Sequence, residues 1–231
     1  MSRPIKKTAK FVSIAALGVL ALVGCTQQPP TATVEPSTSV TTQEVSQETS
    51  SPDAVTLKNL QAAYNGESNA HARYLAFAKK AETEGYQQVA RLFQAAAQAE
   101  AIHAANHAAV IRKLGAKPEA TIETPEVKST RENLEEAING ESYERDTMYP
   151  EFIEQAKQKG NQEAVQTFTY AVQAETEHAK YYTQAKDNLE DWKDAKMVFY
   201  VCPECGFTTN NLNFENCPEC GTAQNLFGEV V

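Results

Sequence analysis

Two short patterns, each present twice, constrain this chain more than anything else in it. Glu100-Ala101-Ile102-His103 and Glu175-Thr176-Glu177-His178 are Glu-x-x-His turns set in long stretches of helical pattern, where residues i and i+3 share a face. Each follows an Asn-Gly-Glu-Ser turn: Glu67 lies 33 residues before Glu100, and Glu141 lies 34 before Glu175. The flanking sequence repeats too, Leu60 to Ser68 (LQAAYNGES) matching Leu134 to Ser142 (LEEAINGES) at an offset of 74 residues. A lone Glu-x-x-His is more often a solvated pair than a ligand pair. Two copies, plus one Glu on each of two further helices, form a ligand set for two metal ions in the core of a four-helix bundle.

Four helices of ~40 Å fit residues 54–190 at about 1.5 Å per residue. The first starts at Ser51-Pro52 or Thr56 and runs to about Glu84, where Gly85 breaks it; the second covers about Tyr86 to Leu114. The third opens at Ser129, whose spacing to Glu132 is that of a capping box, and reaches about Lys159; Gly160-Asn161 then separate the fourth, which ends near Leu189. Short joints make antiparallel hairpins, and the long joint Gly115 to Lys128, with Pro118 and Pro125, allows one crossover, as in ferritin-like bundles. Ala95-Ala96-Ala97 lets helices approach closely, while Phe77, Leu92, Phe93, Leu114, Phe152, Phe168 and Tyr181 supply apolar packing. Pro150 falls inside the third helix and is expected to bend it just past Tyr149.

The repeat is unequal at one position. The third helix carries Glu141-Ser142-Tyr143-Glu144 where the first carries Glu67-Ser68-Asn69-Ala70, so Glu144 is an additional carboxylate. With Glu67, Glu100, Glu141, Glu144 and Glu175 all ionised, burial without cations is prohibitive, whereas two divalent ions leave a single negative charge. Release of Glu144 in favour of neutral His103 brings the balance to zero, which reads as a redox-linked exchange of ligands.

The chain has 231 residues, a net charge of -9 and a pI near 5.1, with no basic stripe to offer phosphates, so nucleic acid is excluded as a partner. Its first 25 residues read as an export signal. Arg3, Lys6, Lys7 and Lys10 precede an uncharged run from Phe11 to Val23, too short at ~20 Å to span a ~30 Å hydrocarbon layer. The run ends Leu22-Val23-Gly24-Cys25, which resembles a bacterial lipobox: cleavage after residue 24 leaves Cys25 to carry a diacylglyceryl group. No Arg-Arg pair marks the folded-protein export route, so metals are expected to be loaded outside the cytoplasm. Residues 25–53, rich in Thr, Ser, Pro and Gln, form a tether too poor in apolar residues to fold.

At the other end, residues 197–231 open with the strand-like Met197-Val198-Phe199-Tyr200-Val201. Two knuckles follow, Cys202-Pro203-Glu204-Cys205-Gly206 and Cys217-Pro218-Glu219-Cys220-Gly221. Four thiolates in that spacing suit iron or zinc, and spacing alone does not choose between them. Five cysteines so placed are not a disulfide framework.

From residue 55 to the end, these motifs resemble rubrerythrin, a mainly α protein with a ferritin-like di-iron four-helix bundle followed by a small rubredoxin-like β domain. The stretch Met148-Tyr149-Pro150-Glu151-Phe152 recurs in that family, whereas Asn213-Phe214-Glu215-Asn216 stands before Cys217 where its members often carry Ala-Pro. The resemblance implies that Glu100 and Glu175 bridge two non-haem irons. It implies that Glu67 with either Glu144 or His103 completes one, and that Glu141 with His178 completes the other. Tyr74 and Tyr149 match tyrosines behind the ligands, while His71 and His107 match no ligand position and read as solvated or incidental.

The implied activity is peroxidase: two-electron reduction of hydrogen peroxide to water, with electrons passed from an unknown donor through an iron on Cys202, Cys205, Cys217 and Cys220. Docking of the two domains is expected between subunits of a homodimer. The whole reads as a lipid-anchored oxidoreductase on the outer face of a bacterial membrane. A ferroxidase or iron-handling role, or a non-enzymatic metal-binding or electron-carrier lipoprotein holding zinc, are the alternatives.

Overall fold

The computed structural model describes residues 52–193 and 195–230; the export signal, Cys25 and nearly all of the tether lie outside them. The described residues form five α-helices: α1 (Pro52–Thr83), α2 (Gln87–Lys113), α3 (Thr130–Tyr143), α4 (Tyr149–Gln158) and α5 (Gln162–Asp187). α1 begins at the earlier of the two starts legible in the sequence. α3 and α4 form one rod, joined by a π-helical turn at Glu144–Met148, so four rods build the bundle. None of the described helices is long and apolar enough to cross a membrane.

Local chemistry sets the rod ends. At the close of α1, Tyr86 N–H reaches back to Ala81 O and Gly85 N–H to Glu82 O, a Schellman motif that needs the left-handed φ of +84° that Gly85 adopts. α3 opens with the expected capping box, Ser129 and Glu132 each bonding the other's backbone. Its first free N–H, on Thr130, is taken by Glu84 Oε2 at 2.8 Å, which ties the end of the first hairpin to the start of the second. The long crossover lies along α1, held by amide side chains four residues apart. Gln61 bonds Lys117 O, Asn65 accepts from Thr121 N–H, and Asn69 accepts from Glu123 N–H.

Pro150 does not simply bend its rod. Lacking an N–H, it leaves a ladder position empty, and the helix widens just before it: Tyr149 N–H bonds Glu144 O, five residues back. Absorbing one extra residue this way lets α4 continue and places Glu144 at the start of the wide turn.

Two apolar clusters fill the bundle. Tyr74, Phe77, Leu92, Phe93, Leu134 and Tyr182 belong to one, and Leu60, Ile111, Tyr149 and Phe168 to the other. Burying each large side chain contributes on the order of 1.5–3 kcal/mol. Along every rod the Glu of the repeated motif falls between the two clusters.

A three-stranded antiparallel sheet, ordered β2-β1-β3, carries the knuckles: β1 (Phe199–Val201), β2 (Thr208–Thr209) and β3 (Gly228–Val230). It is pinned to the bundle through Gln88 on α2, whose amide donates to Met197 O at 2.8 Å and accepts from Met197 N–H at 3.0 Å. Trp192 and Phe199, stacked with centroids 6.5 Å apart, extend the first apolar cluster into the sheet. Ahead of Cys217, Asn216 pairs with Ala223 and Glu215 O accepts from Gln224 N–H, which closes the second knuckle without an Ala-Pro.

Candidate metal centres

Glu67 on α1, Glu100 and His103 on α2, Glu141 on α3, and Glu175 and His178 on α5 are all buried and meet at the middle of the bundle. His103 Nδ1 stands 2.9 Å from Glu100 Oε2, 3.3 Å from Glu175 Oε1 and 3.9 Å from Glu67 Oε1. His178 Nδ1 stands 2.8 Å from Glu175 Oε2, 3.3 Å from Glu100 Oε1 and 3.8 Å from Glu141 Oε1. The sequence repeat is thus a near twofold symmetry of the site. Its atoms form two ligand groups, Glu67-Glu100-His103-Glu175 and Glu100-Glu141-Glu175-His178, each spanning at most 4.8 Å and sharing Glu100 and Glu175.

Both imidazoles aim Nδ1 inward because their outer nitrogens are engaged, one by the first knuckle and the other by β2. His103 Nε2 lies 3.2 Å from Cys205 O, and His178 Nε2 lies 3.0 Å from Thr208 Oγ1. Backbone carbonyl and hydroxyl partners of this kind set the tautomer, leaving the inner lone pair free for a cation. The resemblance placed such docking between subunits; here one chain supplies both sides.

The residues fit two cations. Glu67 Oε2, Glu100 Oε1 and Glu175 Oε1 are buried and accept no hydrogen bond, a costly arrangement that bound metal would relieve. Burial, then the charges of Glu144, Glu100 and Glu175, hold the Glu67 carboxyl well above its usual range, and burial with Glu175 and Glu100 does the same to Glu141. Against the effect of burial, Glu100 and Glu175 draw the His178 pKa up to about 9.

Glu144 stands outside both ligand groups, half-buried at the head of the π turn. Burial, then the charges of Glu175 and Glu100, hold its carboxyl well above the usual range, opposed by the charges of Arg73 on α1 and of His103. Tyr74 donates to Glu141 Oε1 at 2.5 Å and Tyr149 donates to Glu67 Oε1, so each tyrosine steadies the terminal carboxylate of one ligand group.

The reading of His107 is corrected. It is fully buried, with Nε2 3.2 Å from the Tyr149 hydroxyl and Nδ1 2.9 Å from Thr167 Oγ1, and burial, helped by the His103 charge, lowers its pKa to about 3. Its position was legible: His107 lies seven residues after Glu100 and four after His103, on the same inward face. His71 is half-buried and donates from Nδ1 to Ala97 O at 2.7 Å, apart from the ligands. Gln88, Thr167 and Thr208 carried no signal of their own, since their roles come from partners distant in the chain.

In the knuckles, Cys202 Sγ and Cys220 Sγ lie 3.5 Å apart, and Cys205 Sγ and Cys217 Sγ 3.6 Å. These are free thiols at nearly the ~3.8 Å edge of a tetrahedron with metal–sulfur bonds of ~2.3 Å. A hydrogen bond from the Cys205 thiol, with the backbone N–H groups of Cys205 and Glu204, lowers the Cys202 pKa to about 5, so this sulfur is prepared as a thiolate.

A family model described as Rubrerythrin matches residues 58–186. Nigerythrin of Nitratidesulfovibrio vulgaris is 44% identical over 161 residues, 69% of this chain and 79% of that protein. Rubrerythrin-2 of Clostridium acetobutylicum is 41% identical over 166 residues, 71% of this chain and 90% of that protein. Among solved structures, nigerythrin in its fully reduced, all-ferrous state superposes with a TM-score of 0.71 at 41% identity, covering 75% of this chain and 86% of that one. The ferritin-like bundle, a di-iron site of carboxylate and histidine ligands, and a four-cysteine site suited to iron or zinc are common ground with these relatives.

Proposed function

Because the chain belongs to the rubrerythrin family, we propose that it is a di-iron peroxidase that reduces hydrogen peroxide to water and is recharged through iron on its four cysteines. The observation that carries this reading is the contact from His103 in the carboxylate cluster to Cys205 in the knuckle, 3.2 Å. A site for two-electron chemistry and a one-electron supply share a boundary of one side chain.

In this reading Glu100 and Glu175, common to both ligand groups, would help hold both ions, Glu67 and His103 would hold one, and Glu141 and His178 the other. Glu144, at the head of its π turn and outside both ligand groups, would be the exchangeable ligand, since a widened ladder gives its carboxylate room to move toward the site. Two ferrous ions held there would supply one electron each and Lewis acidity toward peroxide. The chain's part is to keep bulk water out with two apolar clusters, to orient the ligands through Tyr74, Tyr149, Cys205 and Thr208, and to admit the two protons that reduction of H2O2 to two H2O consumes. Rapid mixing of the reduced protein with each oxidant tests the reading. Much faster reoxidation by peroxide than by dioxygen is expected; equal or slower peroxide rates overturn it.

The same proposal places the protein, as a homodimer, outside the cytoplasm on a diacylglyceryl anchor at Cys25. The basic start, the apolar run and Leu22-Val23-Gly24-Cys25 support it. Cys25→Ser is expected to free the protein from the membrane fraction, and retention there counts against the anchor.

A further inference from the structure

Behind Glu67, the second apolar cluster contains a row of polar groups that ligand positioning alone does not require. Tyr149 donates to Glu67, His107 Nε2 stands 3.2 Å from the Tyr149 hydroxyl, and Thr167 Oγ1 stands 2.9 Å from His107 Nδ1. Thr167, only 5% exposed, lines a surface cavity of about 120 Å³ together with Asn106, Lys113, Glu163 and Glu204. The row therefore runs from a residue that lines this cavity to the carboxylate cluster. Phe168 packs against both rings of the row, with centroids 5.4 Å from His107 and 5.9 Å from Tyr149, and Phe152 flanks Tyr149 at 6.4 Å. Aromatic walls keep water from bypassing it. Burying an imidazole and a hydroxyl among such rings costs free energy that an apolar pair would avoid.

We propose that Thr167, His107 and Tyr149 form a proton-conducting line from the surface cavity to Glu67, and through Glu67 to the oxygen atoms being reduced. The inference rests on the peroxide-reducing reading for its purpose. Tyr149 has one proton and gives it to Glu67, so its oxygen accepts from His107 Nε2–H, and the free Nδ1 accepts from the Thr167 hydroxyl. Every donor points the same way. When a proton from cavity water joins Thr167 Oγ1, the hydroxyl's own proton passes to Nδ1, the Nε2 proton passes to the Tyr149 oxygen, and the phenolic proton passes to Glu67. One proton enters, one arrives, and no residue between is left charged. The passage leaves the His107 proton on Nδ1, so one passage supplies one of the two protons that a peroxide needs.

Thr167→Val removes the outer hop while leaving His107, Tyr149 and every metal ligand in place. In the iron-loaded, reduced full chain it is expected to slow reoxidation at least roughly tenfold and to enlarge the solvent deuterium isotope effect, while Thr167→Ser restores both. Visible spectra report whether the metal sites are intact, and Thr167→Ala serves if the valine variant does not fold. A second readout needs no turnover. In the zinc-loaded full chain, nitrogen-15 NMR is expected to find the His107 proton on Nε2, exchanging with D2O at least roughly tenfold more slowly in Thr167→Val than in wild type. Unchanged reoxidation and isotope effect in Thr167→Val, or a His107 proton on Nδ1 with unchanged exchange, overturn the line. Failure of the peroxide reading is seen separately, in the oxidant preference of the wild type. The zinc measurement judges the line in either case.

Discussion

Nε2 of His103 lies 3.2 Å from the carbonyl oxygen of Cys205, so a single imidazole touches both metal centres. Its Nδ1 faces Glu100 and Glu175 at 2.9 and 3.3 Å. A cysteine that holds one metal and a histidine that faces the other pair are thus neighbours, although 102 residues separate them in the chain.

Gly206 is pressed against that ring. Its φ is +76°, and a Cβ built on it would fall 2.3 Å from His103 Nε2. Gly206→Ala is therefore expected to lift the first knuckle from α2 and to slow electron transfer between the two centres roughly 10- to 100-fold, as small misplacements of reacting groups do. Stopped-flow absorbance at the ferric-thiolate band reads the rate. A wild-type rate would show that transfer does not depend on this contact.

Loss of one sulfur separates the two centres functionally. Cys202→Ser should abolish the red ferric-thiolate colour while leaving the bundle's ligands untouched. A pre-reduced sample is expected to be reoxidised once by peroxide at near wild-type rate and then to stop, because its path for recharging is gone. Sustained turnover with the usual donor, measured by peroxide consumption, would contradict this division of labour.

Metal removal should be felt in stability. Buried carboxylate oxygens of Glu67, Glu100 and Glu175 have no hydrogen-bond partner, so the ions carry the burden of neutralising them. A ligand at about 1,000 times its Kd adds about 4 kcal/mol, or roughly 8–16 °C in Tm for a chain of this size. Differential scanning calorimetry of metal-free and iron-loaded protein checks the shift, and Glu175→Gln should shrink it.

Far from the metals, Glu84 couples pH to the bundle. Hydrogen bonds from the Thr130 hydroxyl and backbone N–H, at 2.6 and 2.8 Å, bring its pKa down to about 2 from an ordinary 4.5. A depressed carboxylate stabilises the fold in full above its unfolded pKa and loses that contribution as pH falls from about 4.5 toward 2. Glu84→Gln is expected to cost about 0.5–2 kcal/mol at neutral pH, the scale of a lost helix cap. Urea unfolding at a series of pH values should show the difference from wild type fading on acidification.

Much of this architecture is written locally. Helix ends follow from Gly85, Gly160 and the Ser129–Glu132 box, and the duplicated Glu and Glu-x-x-His turns mark which faces point inward. Pro150 was legible as a disturbance but not as a π turn, because whether a helix bends or widens depends on the packing of Tyr149 and Phe152 against α5.

The residues alone determined that two groups of carboxylates and imidazoles, and one group of four thiols, would each gather around metal, because ligand spacing along a helix or within a knuckle is a property of local geometry. Which nitrogen of His103 and His178 faces inward, that a single chain can bring Cys205 to His103, and that His107 joins Thr167 to Tyr149 were decided only by the packed structure. Those contacts join residues 30 to 102 positions apart, and hydrogen-bond partners at such separation are chosen by how rods and sheet come to rest against each other.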